Sequence, residues 1–455
     1  MPSFPLPRVR HATKAIRRRV ARVLLLGGLS LLLFAASFAA LAYHDLQSQI
    51  KRIDIPTVTD GPTREPVPDD YAGVAINILI LGTDSRAGAN NVDDSEGSEE
   101  VMVARSDTAL IMHVSADRSR VDVVSIPRDT IVDIPSCQSS DGSTTEEGEG
   151  QFNTAFANGV GTSNTTKAIG AGVACSIKTV QKLTNIHIDE FMVIDFSGLE
   201  KMVSALGGVT LYVNESIDDS DYTGLSLEQG CQHLDGPTAL QYARVRHGVA
   251  DGSDISRISR QQNLMSAMLR AAQSKNLLTD ADNLYSFARE ALGTLTTSQR
   301  IGDLRTLTGL GQSIANIGVD HINFITMPYE QAPWDPDRVV PSEDAKGVWK
   351  ALAKDQPVPG NTISSHADGS TPTPTDGTSS SPTPSAPSST PGGSPTPAPG
   401  VLTTAELGRG RAPGRQPTRP SPGRQPTRPR MVDSRAPAGH NGSACGARLR
   451  LRFSS

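Results

Sequence analysis

Ile76-Asn77-Ile78-Leu79-Ile80-Leu81 is an apolar run stopped by Gly82. Its shortness and β-branched content predict a strand buried inside a sheet. Two more β-rich runs follow, "DTALIMHV" over 107–114 and "VDVVSI" over 121–126, joined by the polar turn Ala116-Asp117-Arg118-Ser119. Beyond them the pattern changes. Helices are predicted over Thr165 to Thr184, Phe196 to Leu206, Pro237 to Ala243 and Ser253 to Ser274, with Gly207-Gly208 stopping the second. Strands and helices interleave, which predicts an α/β layered domain.

If the first three strands form an antiparallel meander, their ends converge at one sheet edge. Strand 76–81 delivers Asp84 and Arg86 there, the next strand begins with Arg105 and Asp107, and the third ends in Pro127, Arg128 and Asp129. The later helices add a further cluster. Asp235 is a candidate cap ahead of Pro237, and the segment closes on "YARVRHG", placing Arg244 and Arg246 two apart. Downstream, Asp254, Arg257 and Gln261 share a helix face by spacings of three and four, with Arg260 three beyond Arg257. Ile255, Ile258, Met265 and Leu269 are the candidates for the opposite, core-facing side. Clustered guanidinium forks bind phosphate or pyrophosphate bidentately. Asp84 and Asp107 are hard oxygen ligands suited to a Mg²⁺ that keeps several waters and bridges to phosphate oxygens. The alternative for any one Arg–Asp pair is a structural salt bridge at a sheet edge.

The chain has 455 residues, a net charge of −5 and only 4% aromatic residues. Charge is uneven. Residues 1–22 hold seven Lys or Arg and no acid, and residues 401–455 hold eleven Arg against Glu406 and Asp433. The body between is therefore strongly acidic, and no nucleic-acid footprint is expected. Val23 to Tyr43 runs 21 residues without a charge, enough to span a bilayer core of ~30 Å. The basic flank before it places the N-terminus in the cytoplasm and everything after Tyr43 outside. A cleaved signal peptide is the alternative, but the apolar run exceeds the ~7–15 residues usual for one.

Cys137, Cys175, Cys231 and Cys445 show no CxxC spacing, so zinc and thioredoxin-type chemistry have no support. On an oxidising side of the membrane a disulfide is expected. Cys137 and Cys175, bracketing a Gly/Ser/Thr-rich stretch, are the preferred pair; Cys231 and Cys445 have no evident partner. The expected organisation is a cytoplasmic basic segment (1–22), a transmembrane helix (23–43), a polar stalk (44–72), a catalytic domain (73–350) and a disordered tail (351–455). That tail is Pro/Ser/Thr/Gly-rich ("STPTPTDGTSSSPTPSAPSSTPGGSPTPAPG") and then Arg/Pro-rich, with "GRQPTRP" twice.

Six segments in order, "INILILGTDSR", "RSDTALIMHV", "VSIPRDT", "FMVIDFSGLEKMVSALGGV", "LDGPTALQYARVRH" and "DISRISRQQ", resemble the successive motifs of the LytR-CpsA-Psr family of wall phosphotransferases. The resemblance covers roughly residues 74–275 and weakens towards 330. It implies an α/β/α layered domain with a mixed central sheet and an apolar tunnel for a polyprenyl chain. It also implies a polyprenyl-pyrophosphate-linked glycan as substrate, peptidoglycan as acceptor, and Mg²⁺ or Mn²⁺ as cofactor. Asp84 and Asp107 correspond to the family's metal-side carboxylates, and Arg105, Arg128, Arg244, Arg246 and Arg257 to its pyrophosphate clamp; Arg260 and Gln261 also match. The acidic loop "NNVDDSEGSEE" is longer than the family pattern. A wall sugar hydroxyl is expected to attack the sugar-proximal phosphorus and expel polyprenyl phosphate, with Asp254 as the candidate base. Rival expectations are a pyrophosphate hydrolase using water at the same site, and a non-catalytic envelope regulator. No helix-turn-helix and no GxxxxGK[ST] nucleotide loop is present.

Overall fold

The computed structural model describes residues 10–55, 71, 73–83, 105–161, 165–245, 254–274, 281–370 and Cys445. The chain enters through α1 (Arg10–Gln49), whose stretch from Arg19 to Gln49 is long and apolar enough to cross a membrane. Its large apolar side chains from Val20 to Leu41 stand 50–71% exposed, as suits a helix whose partner is lipid. The helix continues past Tyr43, where the span was expected to end, and β1 (Lys51–Ile53) then joins the central sheet. Ile50 and Ile55 are buried. Asp45 accepts from Tyr285 Oη at 2.6 Å and pairs with Arg289, and Gln47 bonds both Gly302 O and Leu304 N. Residues 44–55 therefore belong to the folded body. The polar side chains that predicted a free stalk are the groups that dock this segment.

The expected meander is present. β2 (Ile76–Thr83), β3 (Ser106–Val114) and β4 (Val121–Ile126) are antiparallel neighbours. A hairpin of β5 (Ile131–Ile134) and β6 (Gly148–Gln151) leads into α2 (Phe152–Val160) and α3 (Thr166–Thr184). Next come β7 (Glu190–Asp195), α4 (Phe196–Ala205), β8 (Val209–Val213), β9 (Ile217–Asp219), β10 (Leu225–Leu227), β11 (Gly230–Leu234) and α5 (Gly236–Arg244). α6 (Asp254–Ser274), α7 (Ala281–Gly293), β12 (Leu295–Ser298), α8 (Leu304–Ile317) and β13 (Ile322–Thr326) follow. The body closes with β14 (Tyr329–Ala332), β15 (Asp335–Pro341), α9 (Glu343–Ala353) and β16 (Ile363–His366).

The central sheet runs β1-β12-β7-β2-β3-β4-β13-β16. It is mixed: β2 pairs parallel with β7 and antiparallel with β3, and β4 pairs parallel with β13. Strand side chains alternate between two cores. Leu79, Leu81, Ile111 and Val124 meet Phe152, Phe156, Ile177 and Trp349 of α2, α3 and α9 on one face. Ile76, Ile78, Leu110 and Val123 meet Met265, Leu269 and Leu310 of α6 and α8 on the other. The result is an α/β/α layered domain. α2 and α3 approach closely because Gly159 faces the backbone of Ala171 and Gly172; a Cβ on Gly159 would lie 2.1 Å from Ala171 O.

The body extends past residue 350, where the sequence composition placed the start of the tail. Ala351, Leu352 and Val358 are buried, and β16 pairs with β13. Asp355 staples this end: its carboxylate accepts from Ala116 N at 3.0 Å and Arg120 Nη2 at 2.9 Å, and meets His113 Nε2 at 3.1 Å. Polar pairing of this kind leaves no apolar signature. The expected disorder beyond 370 lies outside the described residues.

Cys137 and Cys175 are joined, tying the loop after β5 to α3 inside the core. Cys231 of β11 is bridged to Cys445, a partner 214 residues away in sequence. Because the bridge joins cysteines 38 positions apart in sequence, Cys137→Ser/Cys175→Ser is expected to lose about 2–4 kcal/mol. Denaturant unfolding of the variant and the parent under non-reducing conditions measures the difference. Equal stabilities would show that the bridge contributes nothing.

Candidate active site

The β3–β4 register sets Ala109 opposite Ile126. Extended by two residues on each strand, it places Asp107 beside Arg128. Arg128 Nη1 donates to Asp107 Oδ1 at 2.6 Å, and its Nε lies 3.3 Å from both Asp129 Oδ2 and Asp254 Oδ1. Its backbone N–H donates to Asp254 Oδ2 at 3.1 Å. Asp254 opens α6, where the helix dipole favours a carboxylate. Arg257, one turn on, donates to Asp254 Oδ1, and its guanidinium lies 3.4 Å from the Asp107 carbonyl. Thr108 Oγ1 donates to Gln261 Oε1 at 3.1 Å, which fastens α6 to the start of β3.

Burial opposes the charge on Arg128, but Asp107, Asp129 and Asp254 outweigh it and hold its pKa above the ordinary value. Burial raises the Asp254 pKa against the pull of Arg257 and Arg128.

Asp107, Arg128, Asp129 and Arg257 border a cavity of about 1080 Å³. Arg105, Asp107, Arg128, Arg244, Arg257 and Gln261 all line it, so six of the sequence-predicted positions lie on one wall system. Arg244 is also stacked 4.7 Å over the Phe196 ring. Much of the remaining wall is apolar, although Asp195, Asp219, Tyr222 and Thr223 also line it. Ile80, Leu110 and Ile194 of the sheet face Leu199 and Met202 of α4, Leu240 of α5, and Leu264, Met265 and Met268 of α6. Asp129, Gln151, Asn153 and Arg338 complete the polar end.

Two expectations change. Asp254, the candidate base, is not on the cavity wall; both oxygens are engaged by Arg128 and Arg257, so it positions them. Arg260, expected in the clamp, points away. Its Nη2 donates to Val245 O at 2.7 Å and its Nη1 lies 3.3 Å from Ser256 Oγ. Three residues along the helix leave it about 60° short of a full turn from Arg257, and spacing alone does not resolve which of the two faces the site. Asp84, Arg86 and Arg246 lie outside the described residues. Among the described residues no group of three His, Cys, Asp or Glu is arranged to hold a metal. Arg338, Gln151 and Asn153 were not anticipated. Asn153 is in an amphipathic helix whose period marks Phe152, Ala155, Phe156 and Val160 as core but gives the asparagine no role, and Gln151 and Arg338 carry no motif of their own.

Residues 42–354 match the model of the LytR_cpsA_psr family. The chain belongs to that family. It is 31% identical over 225 residues to LcpB of Corynebacterium glutamicum, covering 49% of this chain and 48% of that one. It thus spans about half the length of that relative. Against the polyisoprenyl-teichoic acid–peptidoglycan teichoic acid transferase TagU of Oceanobacillus iheyensis it is 26% identical over 296 residues, 65% of this chain and 76% of that one. The structure of a LytR-Csp2A-Psr enzyme from Actinomyces oris aligns with 67% of this chain and 96% of that one, at 20% identity and a TM-score of 0.47.

Since the Arg260 guanidinium is spent on the Val245 carbonyl, Arg260→Met is expected to destabilise the domain by about 1.5–3 kcal/mol, the worth of hydrogen bonds to a charged group. Thermal unfolding checks this; an unchanged midpoint would remove Arg260 from the fold's supports.

Proposed function

We propose that the protein moves a glycopolymer from a polyprenyl-pyrophosphate carrier onto a peptidoglycan sugar hydroxyl, releasing polyprenyl phosphate. The observation that carries this reading is one cavity with an arginine-rich polar end and a Leu/Met/Ile-lined apolar end. It has the division that a pyrophosphate on a long hydrocarbon requires. The names of the relatives support the same reading, TagU being a transferase of a polyisoprenyl-linked polymer to peptidoglycan. The basic flank ahead of the apolar stretch of α1 supports a body held outside the membrane.

In the proposed step the acceptor hydroxyl oxygen bonds to the sugar-proximal phosphorus. The bond from that phosphorus to the bridging oxygen breaks, and the electron pair leaves with polyprenyl phosphate. The hydroxyl proton passes to a carboxylate of the cavity wall. Arg105, Arg128, Arg244 and Arg257 stabilise the charge that grows on the bridging and non-bridging oxygens. Asp254 keeps Arg128 and Arg257 in register for that task. Asp107 is a hard oxygen donor on the wall, and with Asp84 it would hold a Mg²⁺ or Mn²⁺ that also keeps water and phosphate oxygens. Such an ion supplies further neutralisation of the pyrophosphate.

The full chain in detergent, given a lipid-pyrophosphoryl oligosaccharide with and without peptidoglycan, is expected to form a covalent wall adduct and release polyprenyl phosphate. Cleavage at an equal rate without acceptor, with no adduct, would assign a hydrolase instead. Arg128→Lys retains the charge held by three carboxylates and loses the fork. Transfer should fall by about 10²–10³-fold, with little change in thermal midpoint. Full activity in that variant would take Arg128 out of the mechanism, and a collapse in stability would reduce it to a structural ion pair.

A further inference from the structure

α1 reaches the folded body with no slack. It ends at Gln49, Ile50 is buried, and Lys51 already pairs with Thr296 as the first residue of β1. One residue thus separates a helix with exposed apolar side chains from the edge strand of the central sheet. A continuous helix transmits orientation where a flexible tether does not. The contacts that dock its outer end are polar at the rim and apolar beneath. Asp45 accepts from Tyr285 Oη at 2.6 Å and from Arg289 Nε at 3.0 Å, both on α7. Gln47 donates to Gly302 O at 2.9 Å and accepts from Leu304 N at 2.8 Å, which ties it to the turn between β12 and α8. Below them Leu46 and Ile50 pack with Leu292, Leu295, Leu304 and Ile194. Ile194 also lines the cavity, and α7 packs on α4, which supplies Leu199 and Met202 to the same apolar end. The outer end of α1 and the apolar end of the cavity therefore share a wall.

The exposed large apolar side chains of α1 run to Leu41, and Tyr43 follows with the Arg305 guanidinium 5.9 Å from its ring centroid. An aromatic ring at the end of an apolar span suits the headgroup layer. From Tyr43 to Gln49 the helix rises about 9 Å, slightly more than the ~5–8 Å of one headgroup layer. We propose that Asp45 and Gln47 are positioning residues for the transfer reaction: by locking α1 against α7 and α8 they hold the apolar end of the cavity at the bilayer surface, where a lipid-linked donor enters it directly from the membrane. This rests on the reading of α1 as the membrane anchor and of the cavity as the donor site. Neither residue lines the cavity. Asp45 and Arg289 form a solvent-exposed pair, which contributes little to stability, so the geometric role is separable from folding. When the body swivels on its anchor, the cavity faces the bilayer for a smaller fraction of the time. The apparent KM for an embedded donor then rises by the inverse of that fraction, while the chemical step is unchanged.

The test uses the full chain in liposomes, with transfer to a soluble peptidoglycan fragment followed for two donors. One is a long-chain polyprenyl-pyrophosphoryl oligosaccharide embedded in the vesicles, the other a short-chain analogue soluble in water. Asp45→Ala/Gln47→Ala is compared with the parent and with a chain carrying about eight Gly/Ser residues inserted between Tyr43 and His44. The insertion leaves Asp45 and Gln47 with their partners and removes only the stiff connection to the membrane, so it reads orientation independently of the stability of the double variant. Expected in both is a rise of about tenfold in KM for the embedded donor, with kcat within about twofold and the soluble donor unaffected. Thermal midpoints should stay close to that of the parent. Asp45→Asn, which keeps an acceptor for Tyr285, should lie between the parent and Asp45→Ala. An embedded-donor KM unchanged in either variant would overturn the proposal, as would equal losses for the two donors or a fall in kcat alone, the marks of a purely structural contact. Absence of transfer by the parent from both donors would instead overturn the phosphotransferase reading itself.

Discussion

The register between β3 and β4 is the constraint on which the site depends. With Ala109 opposite Ile126, Asp107 and Arg128 emerge as neighbours, and a one-residue slip would turn one of them to the opposite face of the sheet. Everything else at that end is attached to these two residues. α6 begins with Asp254 against the Arg128 side chain and backbone. α2 begins where Phe152 N and Asn153 N donate to Thr130 O and Arg128 O, and β15 reaches the site through its bridge to Thr130. Two helices and three strands are thereby indexed to one loop of a few residues.

Holding several arginines at the edge of a cavity, in a domain that is otherwise acidic, is an electrostatic problem with a visible solution. Removing one partner of a buried ion pair costs about 3–5 kcal/mol because the other charge is stranded. Arg128 avoids that exposure by contacting three carboxylates, and Arg257 shares one of them. Two charges 4 Å apart interact by about 4 kcal/mol at the effective dielectric of a partly buried site, so each of these contacts holds its guanidinium firmly in place. The carboxylates of the network thus keep the guanidinium forks oriented.

Most of the scaffold was legible because it is apolar. The strands at 76–81, 107–114 and 121–126 and the four helices announced themselves by period and by caps, and Asp235 does accept from Thr238 N at 2.9 Å. Their ends then implied the clamp. What escaped was held by polar contacts. Residues 44–55 are docked by Asp45 and Gln47 beside the buried Ile50 and Ile55, and the end past residue 350 by Asp355 beside the buried Ala351, Leu352 and Val358. Arg338 and Asn153 reach the cavity only because β15 and α2 are tied to the loop after β4. Arg257 and Arg260 show the finer limit, since two arginines in one helical turn differ in role only through the direction in which each side chain leaves the helix.

The cavity's two-part character follows from the pleat. Along β2 the residues facing α6 are Ile80 and then Gly82, so the wall changes from apolar to open as the strand approaches the clamp. Gly82 is needed there. A Cβ would sit 3.0 Å from Thr108 Cβ and push on the residue whose hydroxyl holds Gln261. At the apolar end Met202, Met265 and Met268 line the same space, and unbranched thioether side chains adapt to irregular hydrocarbon better than branched ones do. A rigid polar end and a compliant apolar end are opposite packing demands. They coexist because the first is built on strand ends and helix starts, where backbone hydrogen bonds fix position, and the second on helix faces, where only side chains meet the ligand.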